Sequence, residues 1–123
     1  MKQRKSIPPM SAARRAENKT RGEVLFGVLM RDGYKCKVRE LVPEVPCFDR
    51  LTGHELLPRG RGGSITNPAN IVISCIGHQN WIHTHPEESH RRGLLKHAWE
   101  APELSRENDK SLAAASLEMD DFF

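Results

Sequence analysis

With 123 residues, 37% of them hydrophobic, and a net charge of +3, the chain has room for one small domain and little apolar material for its core. No run of about 18 apolar residues occurs, which excludes a membrane-spanning helix, and the basic N-terminus lacks the apolar stretch of a secretory signal. Cys36, Cys47 and Cys75 are an odd number, which argues against a closed disulfide framework and leaves metal ligation, burial or a free thiol in a reducing, cytoplasmic setting.

Residues 1–18 read as a basic disordered arm, with Pro8-Pro9 discouraging a helix at its start. Residues 1–21 carry seven basic side chains against one acidic, net +6, which suits nucleic-acid phosphates, with Arg14 and Arg15 as candidate contacts. Thr20 is positioned to cap a helix running to about Arg31, with Val24, Leu25, Val28 and Leu29 on one apolar stripe and Asp32-Gly33 stopping it. Residues 34–50 hold Cys36 and Cys47 around Pro43 and Pro46, an irregular knuckle. Residues 51–57 are strand-like, 58–69 form a loop rich in Pro, Gly, Ser and Asn, and 71–73 make a short buried strand of β-branched residues.

From about His78 to His85 the spacing is helical, with Trp81 and Ile82 available for packing. Pro86-Glu87-Glu88 starts a second short helix, since Pro and acidic groups suit a first helical turn. Gly93 interrupts it, and Leu94, Leu95 and Trp99 are expected to dock on the core. Residues 19–102 thus form the domain, and 103–123 an acidic disordered tail with an Ala-rich, transiently helical patch at 113–115. Residues 100–123 carry seven acidic side chains against two basic, net −5.

Three constellations carry chemistry. Cys75-Ile76-Gly77-His78 is a C-x-x-H pair at a strand-to-helix turn, where two donors can face one ion. With Cys36 and Cys47 it makes a Cys₃His set suited to structural zinc, whose binding would supply folding energy that the core lacks; the competing reading is three small buried hydrophobes. His54 and His83 flank the strand–loop–strand–helix unit, where an imidazole pair can hold a divalent cation over a phosphodiester. Glu55 is beside His54 as a base for water, although alternation along a regular strand sends the two to opposite faces. The competing reading for these residues is a solvated strand edge and helix surface. In the Arg59-Gly60-Arg61-Gly62-Gly63 loop, glycines permit close backbone approach and the arginines can grip phosphate.

Taken together, the segment from Cys36 to Pro86 resembles the HNH endonuclease family, the ββα-metal nucleases, and most of all its small phage-type members. The resemblance rests on joint spacing: His54 stands eight residues before Gly62, Asn70 eight after it, Cys75 five beyond Asn70 and His83 thirteen beyond Asn70. It implies an α+β fold with a small ββα-metal core, a zinc knuckle and flanking helices. It implies a metal-dependent DNA endonuclease, nicking or double-strand, with Mg, Mn, Ni or Zn as catalytic ion. His54 falls on the metal-binding member of the family's His/Asp-His pair, Glu55 on the general-base position, usually histidine, and Asn70 on the bracing asparagine. His83 falls on the helix-borne metal ligand. Cys36, Cys47 and Cys75 fall on knuckle cysteines, with His78 where the family has a further cysteine.

Gln79 stands where the family has its third histidine, and its carbonyl can bind a hard cation. Two other registers stay open: His78 as catalytic ligand with three cysteines on zinc, or His54 as base with Glu55 on the metal. The alternative function is a non-catalytic, zinc-stabilised DNA-binding or assembly module on the same scaffold. Expected partners are DNA and, by the phage resemblance, terminase subunits in DNA packaging in the host cytoplasm; no membrane is expected.

Overall fold

The computed structural model describes residues 10–109; the expected helical patch at 113–115 lies outside the described residues. Two strands, β1 (Leu51–Glu55) and β2 (Ile71–Cys75), pair antiparallel in unbroken register, with His54 opposite Val72 and Glu55 opposite Ile71. A long helix, α1 (Ala12–Arg31), packs on one face of this hairpin. On the other face lies α2 (Ile76–Thr84), which leaves β2 without a loop and is followed by α3 (Pro86–Arg91). The described residues form a small α+β unit, and no helix among them is long and apolar enough to cross a membrane.

The apolar stripe of α1 covers the sheet as its spacing predicts. Val24, Leu25, Val28 and Leu29 pack on Ile71 and Ile73, and Val28 is 1% exposed. Each fully buried side chain of this size contributes roughly 1.5–3 kcal/mol. The helix ends at Asp32, whose buried carboxylate accepts the Ile73 N–H at 3.0 Å and pairs with Arg31. Burial opposes ionisation of Asp32, yet the Arg31 and Ile73 donors prevail and hold its carboxyl below the usual range. The carboxylate thereby ties the C-terminus of α1 to the middle of β2.

A second core cluster lies beneath α2, where Cys36, Val38, Val42, Cys75, Ile82 and Leu94 are buried together. The knuckle residues reach the sheet through the Lys37 N–H, which donates to the Ile73 carbonyl at 2.8 Å. Arg92 closes the far side, donating to both carboxylate oxygens of Glu44 at 2.6 and 2.9 Å and lying over the Trp81 ring.

Four sequence expectations change. The helix starts at Ala12, capped by the Ser11 side chain, so the basic arm does not extend to residue 18. Thr20 turns its hydroxyl back to the Ala16 carbonyl inside the helix instead of capping it. The acidic tail does not begin at 103. Leu104 is buried with Leu57 and Ala101, and the strap from Pro102 to Asp109 is sewn to the glycine loop. The Ser64 N–H donates to the Leu104 carbonyl at 2.9 Å and the Arg106 N–H to Gly62 at 2.8 Å, while Asp109 accepts from the Ser64 and Thr66 hydroxyls. Charge alone hid this, because the strap is held by backbone bonds, the buried Leu104 and polar side chains whose partners lie about 40 or more residues away in the chain. Finally, Leu94 docks in the core but Trp99 does not; it is 79% exposed.

The glycine loop is tight at one position. A Cβ on Gly63 would lie 1.7 Å from the Leu57 carbonyl oxygen, which is backbone and cannot move aside; a Cβ on Gly60 would meet nothing within 4 Å. Gly63→Ala is therefore expected to cost about 2 kcal/mol or more, read from urea unfolding midpoints. Gly60→Ala is expected to cost less than about 1 kcal/mol. Equal losses in the two variants would show that the loop is not packed as described.

Candidate metal centre and the adjoining histidine site

Cys75 ends β2 and caps α2, so its sulfur sits at the point where an extended chain becomes helical. Its Sγ accepts the His78 N–H at 3.3 Å and the Phe48 N–H at 3.4 Å. The knuckle comes so near this turn that a Cβ on Gly77 would be 2.9 Å from the Phe48 Cβ. That approach brings Cys47 over the turn, while the chain leaving α1 brings Cys36 beneath it. Cys36, Cys47, Cys75 and His78 present ligand atoms that all lie within 4.8 Å of one another. This is a donor set able to hold one metal ion.

His78 is oriented for ligation. Its Nε2 donates to the Val42 carbonyl at 3.0 Å, which leaves the Nδ1 lone pair facing the sulfurs of Cys75, Cys36 and Cys47 at 3.1, 3.6 and 3.7 Å. The thiols are unequal. Burial raises the Cys75 thiol, but the His78 and Phe48 amides outweigh it and bring it down to about 6. Cys47 is pushed up to about 11 by desolvation of its sulfur and by the neighbouring Cys75 and Cys36. A cation at the centre of the four atoms removes that mutual repulsion.

The second site lies on the same face of the sheet, one turn further along α2. His54, from β1, is 2% exposed, and its Nε2 donates to the Leu94 carbonyl at 2.6 Å. Nδ1 is then the ring atom left to accept. Gln79 of α2 neighbours the His54 ring, and its amide meets His83 Nε2, a turn further along α2, at 3.1 Å. The other end of the Gln79 amide is buried without a partner among the described residues. A half-turn of the amide about its Cγ–Cδ bond exchanges its two ends and leaves the rest of the side chain in place, so Gln79 can turn its oxygen toward the space shared with His83. The structure thus brings His54, Gln79 and His83 together.

Glu55 is separated from that trio. The strand has no bulge, so Glu55 projects to the α1 face, where Arg21 pairs with it at 2.9 Å and also donates to the Ile65 carbonyl. Asn70 is fully buried and spans both ends of the loop. It accepts the Leu57 N–H at 2.8 Å and donates to the Leu57 and Ser64 carbonyls at 3.0 and 2.7 Å. Arg59 lies 4.0 Å from the buried Glu17 of α1, which Arg106 also binds at 3.0 Å, whereas Arg61, Arg14 and Arg15 are exposed. Sequence reasoning missed Arg21 and the Val42 and Leu94 carbonyls. A backbone acceptor leaves no mark in a sequence, and Arg21 meets Glu55 across 34 residues.

Burial lowers the His54 pKa, outweighing the Leu94 carbonyl and Glu55, which favour the cation. An unfolded histidine titrates near about 6.5, so the unfolded chain takes up this proton first on acidification. The stability carried by neutral His54 is complete above that value and is lost as pH falls through it toward the lower folded pKa. The wild-type melting temperature is expected to drop between about pH 7 and 5, and to drop less in His54→Gln, followed by circular dichroism. Parallel curves for the two proteins would refute the assignment of a buried neutral His54.

No family model matches the chain, and comparison with curated proteins and with solved structures finds no match.

Proposed function

We propose that this chain is a metal-dependent DNA endonuclease of the HNH, or ββα-metal, type, folded around a structural zinc ion. The observation that carries the reading is the convergence of His54 from β1 with Gln79 and His83 from α2, one helical turn beyond the Cys₃His cluster.

The donors fit zinc. Tetrahedral zinc with bonds of about 2.3 Å to sulfur and about 2.0 Å to nitrogen puts each sulfur roughly 3.5 Å from the nitrogen. The three separations here are 3.1, 3.6 and 3.7 Å. Thiolates select a soft or borderline ion over magnesium, and four protein donors leave no open position, which suits a structural role.

The histidine site fits a catalytic divalent ion. Two cis ligands about 2.1 Å from a hard cation stand roughly 3.0 Å apart, close to the 3.1 Å between Gln79 and His83. A bound divalent ion would supply neutralisation of the phosphate and of the departing oxygen. The chain's own residues do the rest. The Leu94 carbonyl takes the Nε2 proton of His54 and leaves Nδ1 as its accepting atom. Asn70 holds the glycine loop at a fixed distance from β1. Exposed Arg61, Arg14 and Arg15 are free to meet phosphates, while Glu17 holds Arg59 at the loop's base. Glu55, at the base position of the resemblance, stands on the α1 face paired with Arg21 and away from the trio, so in this reading it takes the proton of the attacking water only from across the end of the strand.

The Arg21–Glu55 pair also favours a second reading, a DNA-binding module without catalysis, since it engages the base candidate on the opposite side of the sheet from the metal trio. Supercoiled plasmid incubated with Mg²⁺, Mn²⁺, Ni²⁺ or Zn²⁺ separates the two. Nicked or linear product is expected, lost in His54→Ala and reduced about 10²–10⁴-fold in Glu55→Gln. Folded protein that binds plasmid and leaves it supercoiled in every metal supports the binding module.

The zinc assignment has its own test. Elemental analysis is expected to find about one zinc per chain, lost in Cys75→Ser together with the cooperative melt, because metal binding of this class contributes on the order of 10 kcal/mol to folding. Metal-free protein with an unchanged melt would overturn it.

A further inference from the structure

Beyond α3 the chain builds a stack of rings that neither metal site uses. The His90 and His97 rings lie 4.2 Å apart at 15°, and the His97 and Trp99 rings 5.3 Å apart at 8°. Three heteroaromatic planes are therefore nearly parallel, and the outermost, Trp99, is 79% exposed, so its outer face is open. His90, His97 and Glu100 also bring ligand atoms within 4.8 Å of one another. A metal ion on two imidazoles must lie in the plane of both rings, and rings stacked face to face do not share such a point. The geometry is that of stacking.

We propose that Trp99 is a stacking platform for an unpaired nucleobase of the DNA strand, a proposal that rests on the nucleic-acid reading above. Aromatic faces take bases of any sequence by stacking, and a base laid on Trp99 adds a fourth plane to the three present. The platform belongs to the backbone segment that braces the histidine site. The Leu94 carbonyl holds His54 at 2.6 Å, and the Lys96 N–H donates to the Leu56 carbonyl, at the end of β1, at 2.7 Å. Lys96 has no acidic partner among the described residues, which provides a cation for the phosphate beside the stacked base. Trp99 is the one large apolar side chain exposed within residues 85–109, and its ring contact among the described residues is the stacked His97.

The test uses the full chain with Trp81→Phe, which leaves Trp99 as the only indole. Single-stranded oligothymidylate and an abasic strand of equal length are titrated in buffer without added divalent ions. Oligothymidylate is expected to quench Trp99 fluorescence while the abasic strand does not. Anisotropy of a labelled oligothymidylate is expected to show about tenfold weaker binding in Trp99→Ala and near-complete rescue in Trp99→Tyr, with unchanged melts in both. Equal quenching by the two strands, or undiminished affinity in Trp99→Ala, overturns the platform. The readout is binding, so the platform and the nuclease reading fail separately: plasmid nicking without base-dependent quenching removes only the platform, and the converse removes only the nuclease.

Discussion

The structure depends on one short turn in which a strand becomes a helix with three thiols gathered around it. Cys75 is the last residue of β2 and the cap of α2, and His78 follows within the first turn. Placed this close, thiolates repel, and only a cation, or protons that weaken the set, makes the arrangement favourable. Everything downstream takes its direction from that turn. The axis of α2, the burial of Ile82 and the aim of Gln79 and His83 toward β1 are set once the helix starts where Cys75 and His78 place it.

The two faces of the hairpin then divide the work. The α2 face receives His54 and the α1 face receives Gly53 and Glu55, where Gly53 leaves no space for a side chain against Leu25. This is ordinary strand alternation, and it matters because a hydrolytic site built from His54 and Glu55 must use atoms from both sides of one strand. The strand ends at Glu55, the chain beyond it is pinned by Asn70, and the Glu55 carboxylate stands at that end on the α1 face. Arg21 and Asn70 together make that edge rigid.

The glycine loop shows how local flexibility and tertiary constraint meet. A stretch of Arg and Gly reads as mobile, yet its base is sewn to the strap by backbone bonds at Gly62 and Ser64, and its Arg59 lies near buried Glu17. Burying Glu17 is tolerable because Arg106 binds it directly. The loop therefore joins α1 to the strap.

Most of α1, the two strands, α2 and the chemistry of each donor could be read from local pattern, whereas the start of α1 and the strap could not. The α1 stripe, the two strands, the C-x-x-H turn and the histidine of α2 were legible because period, β-branching and donor type are local properties of neighbouring residues. The knuckle cysteines were legible as donors for the same reason. Which distant groups meet is settled by packing: Cys36 and Cys47 with His78, the Leu94 carbonyl with His54, Arg21 with Glu55, and the strap with the loop. Trp99 belongs here too, since an apolar residue near a helix end reads as core until the packing of Leu94 leaves it outside. Such pairings depend on packing between segments tens of residues apart, and on backbone carbonyls that every residue carries alike, so no local pattern records them.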